Sequence, residues 1–274
     1  MKALYLVILF LLSSCGDDSF KKVEALGEFR ILGVVTNNPE VAPGGTASLQ
    51  LIVSDVDGPI GVGRTITGTT EACIDPGIGY GASVSCDHDP AMVPGSYTVD
   101  TRTLDMVNNV FTGLASDILN LNVPATIHIG RSDSEKFNGV AYIVIFKFSV
   151  DGKEVTTFKR IAAVSGRALN NNPPVSNIFV NGGNISAFPN DGDSLLVLAD
   201  PPESYQYITT DNVTETRTEK LQVAWYTSSG EFSLSKTFAD EPTEIKGSAP
   251  AGDSVVMAIV RDERGGVGFF RFSP

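Results

Sequence analysis

Two cysteines in the first half of the chain have a spacing suited to covalent cross-linking. Cys73 and Cys86 flank a glycine-rich stretch, and bridging them would close a loop of about 15 residues, which stabilises a fold by roughly 3 kcal/mol in the chain-entropy model. A metal site is the alternative, but the pair lacks the close C-x-x-C spacing and His88 is the only histidine nearby. The spacing therefore predicts a Cys73–Cys86 disulfide.

Hydrolytic chemistry needs a nucleophile, a base and a group that orients the base. The two histidines are His88, in a polar stretch, and His128, between two isoleucines of a predicted strand. The sequence has no Gly-x-Ser-x-Gly elbow, no His-Glu-x-x-His motif and no phosphate-binding loop. A pair of carboxylates acting as in glycosidases stays open, because acidic residues are abundant. We predict that the chain is not an enzyme.

Two turns cluster oxygen ligands of the kind that bind Ca²⁺. One contains Asp55 and Asp57, and the other runs from Asn190 to Asp193. Neither has the spacing of an EF-hand loop, and Asp, Asn and Gly also favour ordinary turns. We predict no cofactor, with Asp55 and Asp57 as the candidate ligands if Ca²⁺ binds.

Aromatic side chains are the candidates for stacking on a ligand. Tyr205 and Tyr207 are two residues apart, which places both rings on one face of a strand, either against a glycan or under a loop. Tyr80, in the glycine-rich stretch, is the third candidate. Trp225, the only tryptophan, alternates with Val223, which predicts core packing; sugar stacking, the alternative, would require an exposed ring.

The start of the chain predicts a membrane anchor. Lys2 precedes an apolar run over residues 3–12, as in a secretory signal. About ten residues reach roughly 15 Å as a helix, half of a hydrocarbon core, so this run is not predicted to span a membrane. The sequence LSSC at residues 12–15 resembles the lipobox of bacterial lipoproteins. That resemblance implies a signal peptide over 1–14, a lipid on Cys15 and a tether over 15–26.

The net charge of the chain indicates which partners are excluded, and the residue after Cys15 indicates which membrane carries the protein. The chain has 20 Lys and Arg against 32 Asp and Glu, a formal net charge of −12. Phosphate backbones repel so acidic a chain, so nucleic-acid binding is not expected. In enteric bacteria an Asp after the lipidated cysteine favours the inner membrane, whereas here Gly16 follows Cys15. We therefore expect the outer membrane, with the body facing either the periplasm or the cell surface.

The elements that position these residues are predicted to be strands. With 27 glycines and 15 prolines, long helices are unfavourable, and several segments alternate with period two, for example Leu49, Leu51 and Val53. Asp151-Gly152 and Ser229-Gly230 are predicted hairpin turns, and residues 104–121 are the one predicted short helix. The fold class is therefore all-β, with two immunoglobulin-like antiparallel β-sandwich domains in tandem.

The polar run of three asparagines and two prolines at 170–174 predicts a stiff junction. The domain prediction is one sandwich with insertions over 27–167, a linker over 168–174 and a second sandwich over 175–274.

Several phrases together resemble a group of exported bacterial proteins. They are residues 29–58, the paired cysteines, the junction, LQVAWYTSSGEF at 221–232 and VRDERGGV at 260–267. As a set they are similar to two-domain immunoglobulin-like or PKD-like lipoproteins of myxobacteria and other predatory Gram-negatives. The resemblance implies a fold and a cell-envelope address, but no activity.

Three hypotheses on function follow. The first is a non-catalytic, membrane-anchored envelope lipoprotein that makes protein–protein contacts, as an adhesion or assembly module with an unknown protein partner. The second is a carbohydrate-binding module on the same scaffold, using Tyr205, Tyr207 or Tyr80. The third is a hydrolase that uses acidic residues.

Overall fold

The computed structural model describes residues 25–56, 62–77, 84–247 and 254–274, and nearly all of its regular structure is β. Two immunoglobulin-like antiparallel β-sandwiches follow one another along the chain, as the sequence predicts. Within these ranges no helix is long and apolar enough to cross a membrane. The predicted signal peptide, Cys15, Asp57 and Tyr80 lie outside the described residues.

The first sandwich consists of two sheets and a short helix. Sheet 1 contains β1 (Arg30–Thr36), β3 (Thr46–Val56), β6 (Asp105–Val107), β7 (Val110–Leu114) and β8 (Leu119–Asn122). Sheet 2 contains, in spatial order, β2 (Glu40–Val41), β10 (Lys153–Ala163), β9 (Val140–Val150), β4 (Thr65–Ile74) and β5 (Val93–Asp100). The helix α1 (Asp133–Asn138) begins at a capping box formed by Ser132 and Glu135. Among the described strands of this sandwich, β2 and β10 pair in parallel and the other pairs are antiparallel.

The second sandwich has two sheets and a separate hairpin. Sheet 3 contains, in spatial order, β12 (Gly183–Asn184), β11 (Val175–Val180), β13 (Ser194–Ala199), β19 (Thr243–Lys246) and β17 (Glu231–Phe232). Sheet 4 contains β18 (Lys236–Phe238), β16 (Gln222–Thr227), β20 (Val256–Arg261) and β21 (Val267–Phe272). The hairpin consists of β14 (Ser204–Ile208) and β15 (Thr214–Thr218), and neither pairs with any other strand of the described chain.

Period-two alternation builds the two cores. Leu49 and Leu51 of β3 point inward and pack in one cluster with Val144 and Phe146 of β9, all fully buried. In the second sandwich, Trp225 is 1% exposed, and its Nε1 donates to Thr237 Oγ1 at 3.0 Å. A buried indole N–H needs such a partner, and the predicted core role of Trp225 is confirmed.

A third apolar cluster joins the two sandwiches. Leu32 and Ile52, on the outer face of sheet 1, pack with Met257 and Ile259, on the outer face of sheet 4, and all four are buried. The order of layers is therefore sheet 2, sheet 1, sheet 4 and sheet 3. The two middle sheets are covered on both faces.

The junction between the sandwiches is held at several points. The side-chain amide of Asn172 donates to the Thr36 carbonyl at 2.5 Å and accepts from the Val267 N–H at 3.0 Å. The Asn170 N–H donates to Glu40 at 2.8 Å. The segment predicted as a linker thus contacts both sandwiches.

The predicted disulfide is confirmed. Cys73 and Cys86 are bonded, with their Cα atoms 5.8 Å apart, and neither is exposed. They pack against Ile143 and Ile145 on the outer face of sheet 2. The bonded cysteines, with Val84 and Met92 beside them, therefore cover two apolar residues that would otherwise face water.

The short helix predicted over residues 104–121 is wrong. That stretch forms β6, β7 and β8 of sheet 1. Asn108 and Asn109 have φ values of 50° and 63°, which form the two-residue turn between β6 and β7. Asparagine tolerates this left-handed conformation, so the pair signals a hairpin rather than a helix.

One of the two predicted hairpins is confirmed and the other is wrong. Asp151 and Gly152, with φ values of 52° and 74°, join β9 and β10 in an eleven-residue register. After Ser229-Gly230, by contrast, β17 crosses to sheet 3 and pairs Phe232 with Ile245 of β19. The strand that returns beside β16 is β18.

Candidate binding cleft between the sandwiches

A cleft of about 790 Å³ opens where the edges of both sandwiches and the β14–β15 hairpin meet. The side chains that give it its chemical character are Phe158, Lys159, Arg160, Tyr205, Tyr207 and Tyr226. Aromatic rings and cations therefore line one concave surface, an arrangement typical of sites that bind a ligand or a peptide.

Tyr205 and Tyr207 lie on one face of β14, as predicted, and both line the cleft. Both are half-buried. A guanidinium covers each ring: Arg264 lies 4.6 Å from the centroid of Tyr205, and Arg217 lies 3.8 Å from that of Tyr207. Such cation–π contacts fix the rings and leave at most one face of each for a ligand.

The hairpin that carries these tyrosines is attached to the first sandwich by one amide. The side chain of Asn138, at the end of α1, donates to the Ile208 carbonyl at 2.7 Å and accepts from the Ile208 N–H at 2.8 Å. This double hydrogen bond imitates a neighbouring strand and fixes the position of β14 at the rim of the cleft.

A buried ion cluster forms the floor beside the tyrosines. Arg167 makes two hydrogen bonds of 2.8 Å to Glu40, and both side chains are at most 5% exposed. Arg264 contacts Glu40 at 3.6 Å, Glu219 at 2.6 Å and Glu203 at 2.9 Å. Burial raises the pKa of Glu219, although the bond to Arg264 opposes this. Each carboxylate is tied to a guanidinium, so the cluster clamps the sandwiches together.

Lys159 reaches into the cleft from the inward-facing side of β10. It is 7% exposed, and its ammonium donates to the Gly265 carbonyl in the β20–β21 turn. Burial lowers the pKa of Lys159 to about 8; Asp262 raises it and Arg261 lowers it further. The contact to Gly265 adds one more bond between the sandwiches.

The two strand edges that flank the cleft differ in their coverage. On β1, side chains of the second half of the chain bind outward carbonyls: Arg261 binds Leu32, and Asn172 binds Thr36. On β10, strand β2 covers only Ala162 and Ala163. Over residues 154–160, no strand among the described residues pairs with the outer edge of β10.

The two-residue turn Asp151-Gly152 determines which residues of β10 hydrogen-bond to β9 and which direct their backbone groups outward. Val150 and Lys153 flank the turn and form a hydrogen-bonded pair, so the even-numbered residues of β10 direct their backbone groups outward. The Ala162 N–H, which donates to the Pro39 carbonyl, agrees with this phase. Thr156 and Phe158 therefore present backbone donors and acceptors beside the cleft.

The two histidines lie outside the cleft. His128 Nε2 is 3.0 Å from the Ala163 carbonyl, and its Nδ1 is 3.3 Å from Ser165 Oγ. His88 Nε2 is 3.4 Å from the Ile74 carbonyl. Among the described residues no carboxylate hydrogen-bonds to either ring, and neither histidine lines the cleft.

The predicted calcium ligands have other partners. Both oxygens of Asp55, which is fully buried, accept from Arg64 at 2.9 Å. In the second turn, Asp193 accepts from the Asn190 N–H at 2.7 Å, and this bond lowers the pKa of Asp193. Across the described parts of the chain, no group of three or more His, Cys, Asp or Glu could hold a metal ion. A calcium site stays a prediction.

Sequence reasoning missed Glu40, Arg167, Lys159 and Asn138. Lys159 carried a signal, since it occupies an inward position of β10 in phase with Ile161 and Ala163. A charge at such a position predicts a buried partner. Glu40 and Arg167 are 127 residues apart, and no local pattern connects them.

No known protein family matches the sequence, and no curated protein matches it. Among solved structures, red sea bream transglutaminase aligns with 89% of this chain and 31% of its own, at 9% identity and a TM-score of 0.28. Elastase-activated Escherichia coli alpha-2-macroglobulin aligns with 93% of this chain and 22% of its own, at 10% identity and a TM-score of 0.28. Latent PorU of Porphyromonas gingivalis aligns with 90% of this chain and 24% of its own, at 10% identity and a TM-score of 0.23. The chain spans less than a third of each, and the fold assignment rests on the strand pairing itself.

Proposed function

We propose that this protein is a lipid-anchored, non-catalytic module of the Gram-negative outer membrane that binds a protein partner. The lipobox-like sequence at residues 12–15 supports the anchor, and the partner would serve adhesion or assembly. The partner contributes an extended segment that pairs with the outer edge of β10 and places its side chains in the cleft.

The observation that carries this proposal is the uncovered edge of β10 beside an aromatic cleft. Side chains of the second half of the chain cover the edge of β1, whereas no described strand pairs with β10 over 154–160, and only at Arg160 does the β20–β21 turn lie close to its outward carbonyl. Exposed strand edges pair readily with other chains, and main-chain bonds then give affinity while neighbouring pockets give specificity. Phe158, 38% exposed, lies on this edge and lines the cleft.

A proline at position 156 tests the edge. Thr156→Pro removes an outward N–H that β9 does not use, so the β9–β10 ladder keeps its bonds while an added strand loses one. Thr156→Val retains the N–H and is the matched control. We expect the tagged Thr156→Val protein to recover its partner from crosslinked cells, and the Thr156→Pro protein to lose it.

A photo-crosslinking residue gives a second readout. Placed at Phe158 it should capture the partner, whereas at Ile118, 50% exposed and remote in the β7–β8 loop, it should not. Equal capture at both positions, or equal recovery with both variants of Thr156, would refute binding at this edge.

The anchor is tested separately. Cys15→Ser should release the protein from the membrane fraction, because the lipid is the proposed attachment. A Cys15→Ser protein that still sediments with membranes would contradict a lipid anchor, without bearing on the β10 edge.

Carbohydrate binding is the second candidate, supported by the shared position of Tyr205 and Tyr207 on the cleft wall. Stacking would use the ring faces that Arg264 and Arg217 leave open. Calorimetric titration with cell-wall and surface polysaccharides tests it: binding that Tyr207→Ala abolishes would favour this function, and no heat with any glycan would exclude it. The third hypothesis, a hydrolase that uses acidic residues, gains no support, because guanidinium groups hold the converging carboxylates.

A further inference from the structure

The outer strand of the projecting hairpin has the features of a self-complementary interface. All five residues of β15, Thr214–Thr218, are exposed. On its inner side β15 pairs with β14 in a regular antiparallel register, Tyr205 opposite Arg217 and Tyr207 opposite Glu215. On its outer side, no strand of the described chain pairs with it. Its position leaves it accessible to another molecule.

The flanking hydrogen bonds determine which backbone groups of β15 face outward. The Thr209 N–H donates to the Val213 carbonyl at 2.9 Å, and the Glu219 N–H donates to the Glu203 carbonyl at 3.0 Å. Hydrogen-bonded pairs recur at every second residue of an antiparallel ladder, so the odd-numbered residues of β15 bond to β14.

Thr214, Thr216 and Thr218 therefore direct their N–H and C=O groups to the open edge. The same phase holds on the opposite edge of the hairpin, where both backbone groups of Ile208 point outward and bind Asn138. On the β14 edge, a side chain of the first sandwich thus binds the backbone groups of Ile208, whereas no strand of the described chain pairs with the β15 edge.

The order of residues along β15, Thr-Glu-Thr-Arg-Thr, complements itself when reversed. We propose that a second copy of this chain pairs antiparallel with β15 about a two-fold axis at Thr216. Thr216 then exchanges two hydrogen bonds with Thr216 of the second copy, and Thr214 does so with Thr218 of that copy. Glu215 lies opposite Arg217 of the second copy, and the symmetry generates this ion pair twice.

The charges also select this register. The Glu–Arg pairs occupy positions that are not hydrogen-bonded, where the strands approach most closely and opposite charges stabilise pairing. A shift by two residues places Glu215 opposite Glu215, or Arg217 opposite Arg217, which is unfavourable. A shift by one residue sets the outward groups of one strand against the inward groups of the other. Within a single copy, Glu215 and Arg217 already lie 3.3 Å apart on one face, so pairing assembles four alternating charges.

Five residues from each copy form a small interface, so the association in solution is weak and is best trapped covalently. Thr216→Cys tests whether the two-fold axis passes through position 216. It is made in the full chain that also carries Cys15→Ser, so that the engineered cysteine has the only unpaired thiol, because Cys73 and Cys86 are bonded to each other. Hydrogen-bonded pairs have Cα atoms about 5.5 Å apart, within the range that a disulfide spans. Oxidation should therefore give a covalent dimer.

Neighbouring positions provide matched controls for the register. Thr214→Cys alone should not crosslink, because its two copies are about four residues apart along the strands, roughly 13 Å. A mixture of Thr214→Cys with Thr218→Cys should crosslink as heterodimers. Equal crosslinking of Thr214→Cys and Thr216→Cys would refute the register, and no crosslinking of Thr216→Cys or of the mixture would refute the pairing.

Charge reversal tests the ion pairs independently. Glu215→Arg replaces both attractive pairs with repulsive ones and should weaken self-association about thirtyfold in sedimentation experiments, while the double exchange Glu215→Arg, Arg217→Glu restores it. Glu215→Arg also makes the net charge of −12 less negative by two units. The general repulsion between two acidic copies would therefore fall, which by itself would strengthen self-association rather than weaken it. Asp240→Arg, at an exposed site elsewhere, has the same charge change and is the control.

Unchanged association of Glu215→Arg, or a double exchange no better than the single one, would overturn the proposal. Capture of a different protein by Thr216→Cys in cells, with no dimer, would overturn it as well. Thr216 does not line the cleft, and the β10 edge is a separate surface, so the Thr216→Cys crosslinking is independent of the proposed partner binding.

Discussion

We expect the stability of the native protein to rise with pH above neutral pH, and replacing Lys159 by Met should remove this rise. The ammonium of Lys159 is buried between the sandwiches and donates a hydrogen bond to the Gly265 carbonyl. Burial lowers the pKa of Lys159 from 10.5 to about 8. The side chain is 7% exposed, so solvent screening is small.

The direction follows from proton binding in the two states. Between the folded pKa near 8 and the unfolded value of 10.5, the unfolded chain holds a proton that the folded chain has released. The free energy of unfolding therefore rises with pH across this window. The full rise is about 3 kcal/mol, of which about 2 kcal/mol falls between pH 7 and 9.5. Burial raises the pKa of Tyr97 to about 12, so its opposing contribution begins only near pH 10.

The assay is urea unfolding at a series of pH values from 7 to 9.5, followed by Trp225 fluorescence. A Cys15→Ser background prevents disulfide exchange at high pH. The free energy of unfolding of the native protein should gain about 2 kcal/mol relative to Lys159→Met over this range. Lys153→Met is the control, since Lys153 lies on the same strand but its side chain is 68% exposed. Parallel curves for the native protein and Lys159→Met would refute the buried ammonium.

Three further predictions concern stability. Glu40→Gln leaves the buried guanidinium of Arg167 poorly compensated and should lower the free energy of unfolding by about 3–5 kcal/mol in urea titrations; a loss below 1 kcal/mol would contradict the clamp. Replacing Cys73 and Cys86 by alanine should cost about 3 kcal/mol, and thiol labelling of unfolded, unreduced protein should find both blocked, whereas two labelled thiols would disprove the bond. Trp225→Ala should cost about 3–5 kcal/mol, and native emission from Trp225 should be blue-shifted relative to the unfolded protein; emission typical of exposed indole would contradict core packing.

Local patterns predicted structure where local and tertiary preferences agree. Asp151-Gly152 lies between two strands that alternate in register, and the hairpin forms as expected. Ser229-Gly230 carries a similar turn signal, but Phe232 is buried by pairing with Ile245 in sheet 3. Tertiary packing overrides the turn there, and a single sequence does not contain the competing partner.

The packing of one sandwich on the other had a sequence signal that alternation alone does not detect. Residues 255–260 are six consecutive apolar residues, and all six are buried. Ile52 is similarly apolar and buried at a position of β3 where alternation with Leu51 and Val53 would place a polar residue. A strand that is apolar on both faces needs cover on both faces, which the other sandwich supplies for these two strands. β9 is also apolar on both faces, but the disulfide-bonded cysteines cover its outer face.

The cleft was predictable only in part. Period two places Tyr205 and Tyr207 on one face, as observed. The ions around them come from distant segments, and Arg264 lies 45 residues from Glu219. Such pairs arise from the stacking of the sandwiches, which the sequence does not specify residue by residue.

The point at which the chain enters the folded body has a mechanical consequence. The Leu26 N–H donates to the Thr227 carbonyl at 2.8 Å, and Leu26 is buried in the cluster between sheets 1 and 4. The first described residues are therefore bonded to the second sandwich before the chain enters β1 of the first. A pull on the amino-terminal end would load both sandwiches at their shared interface, so they would resist in parallel rather than yield one after the other.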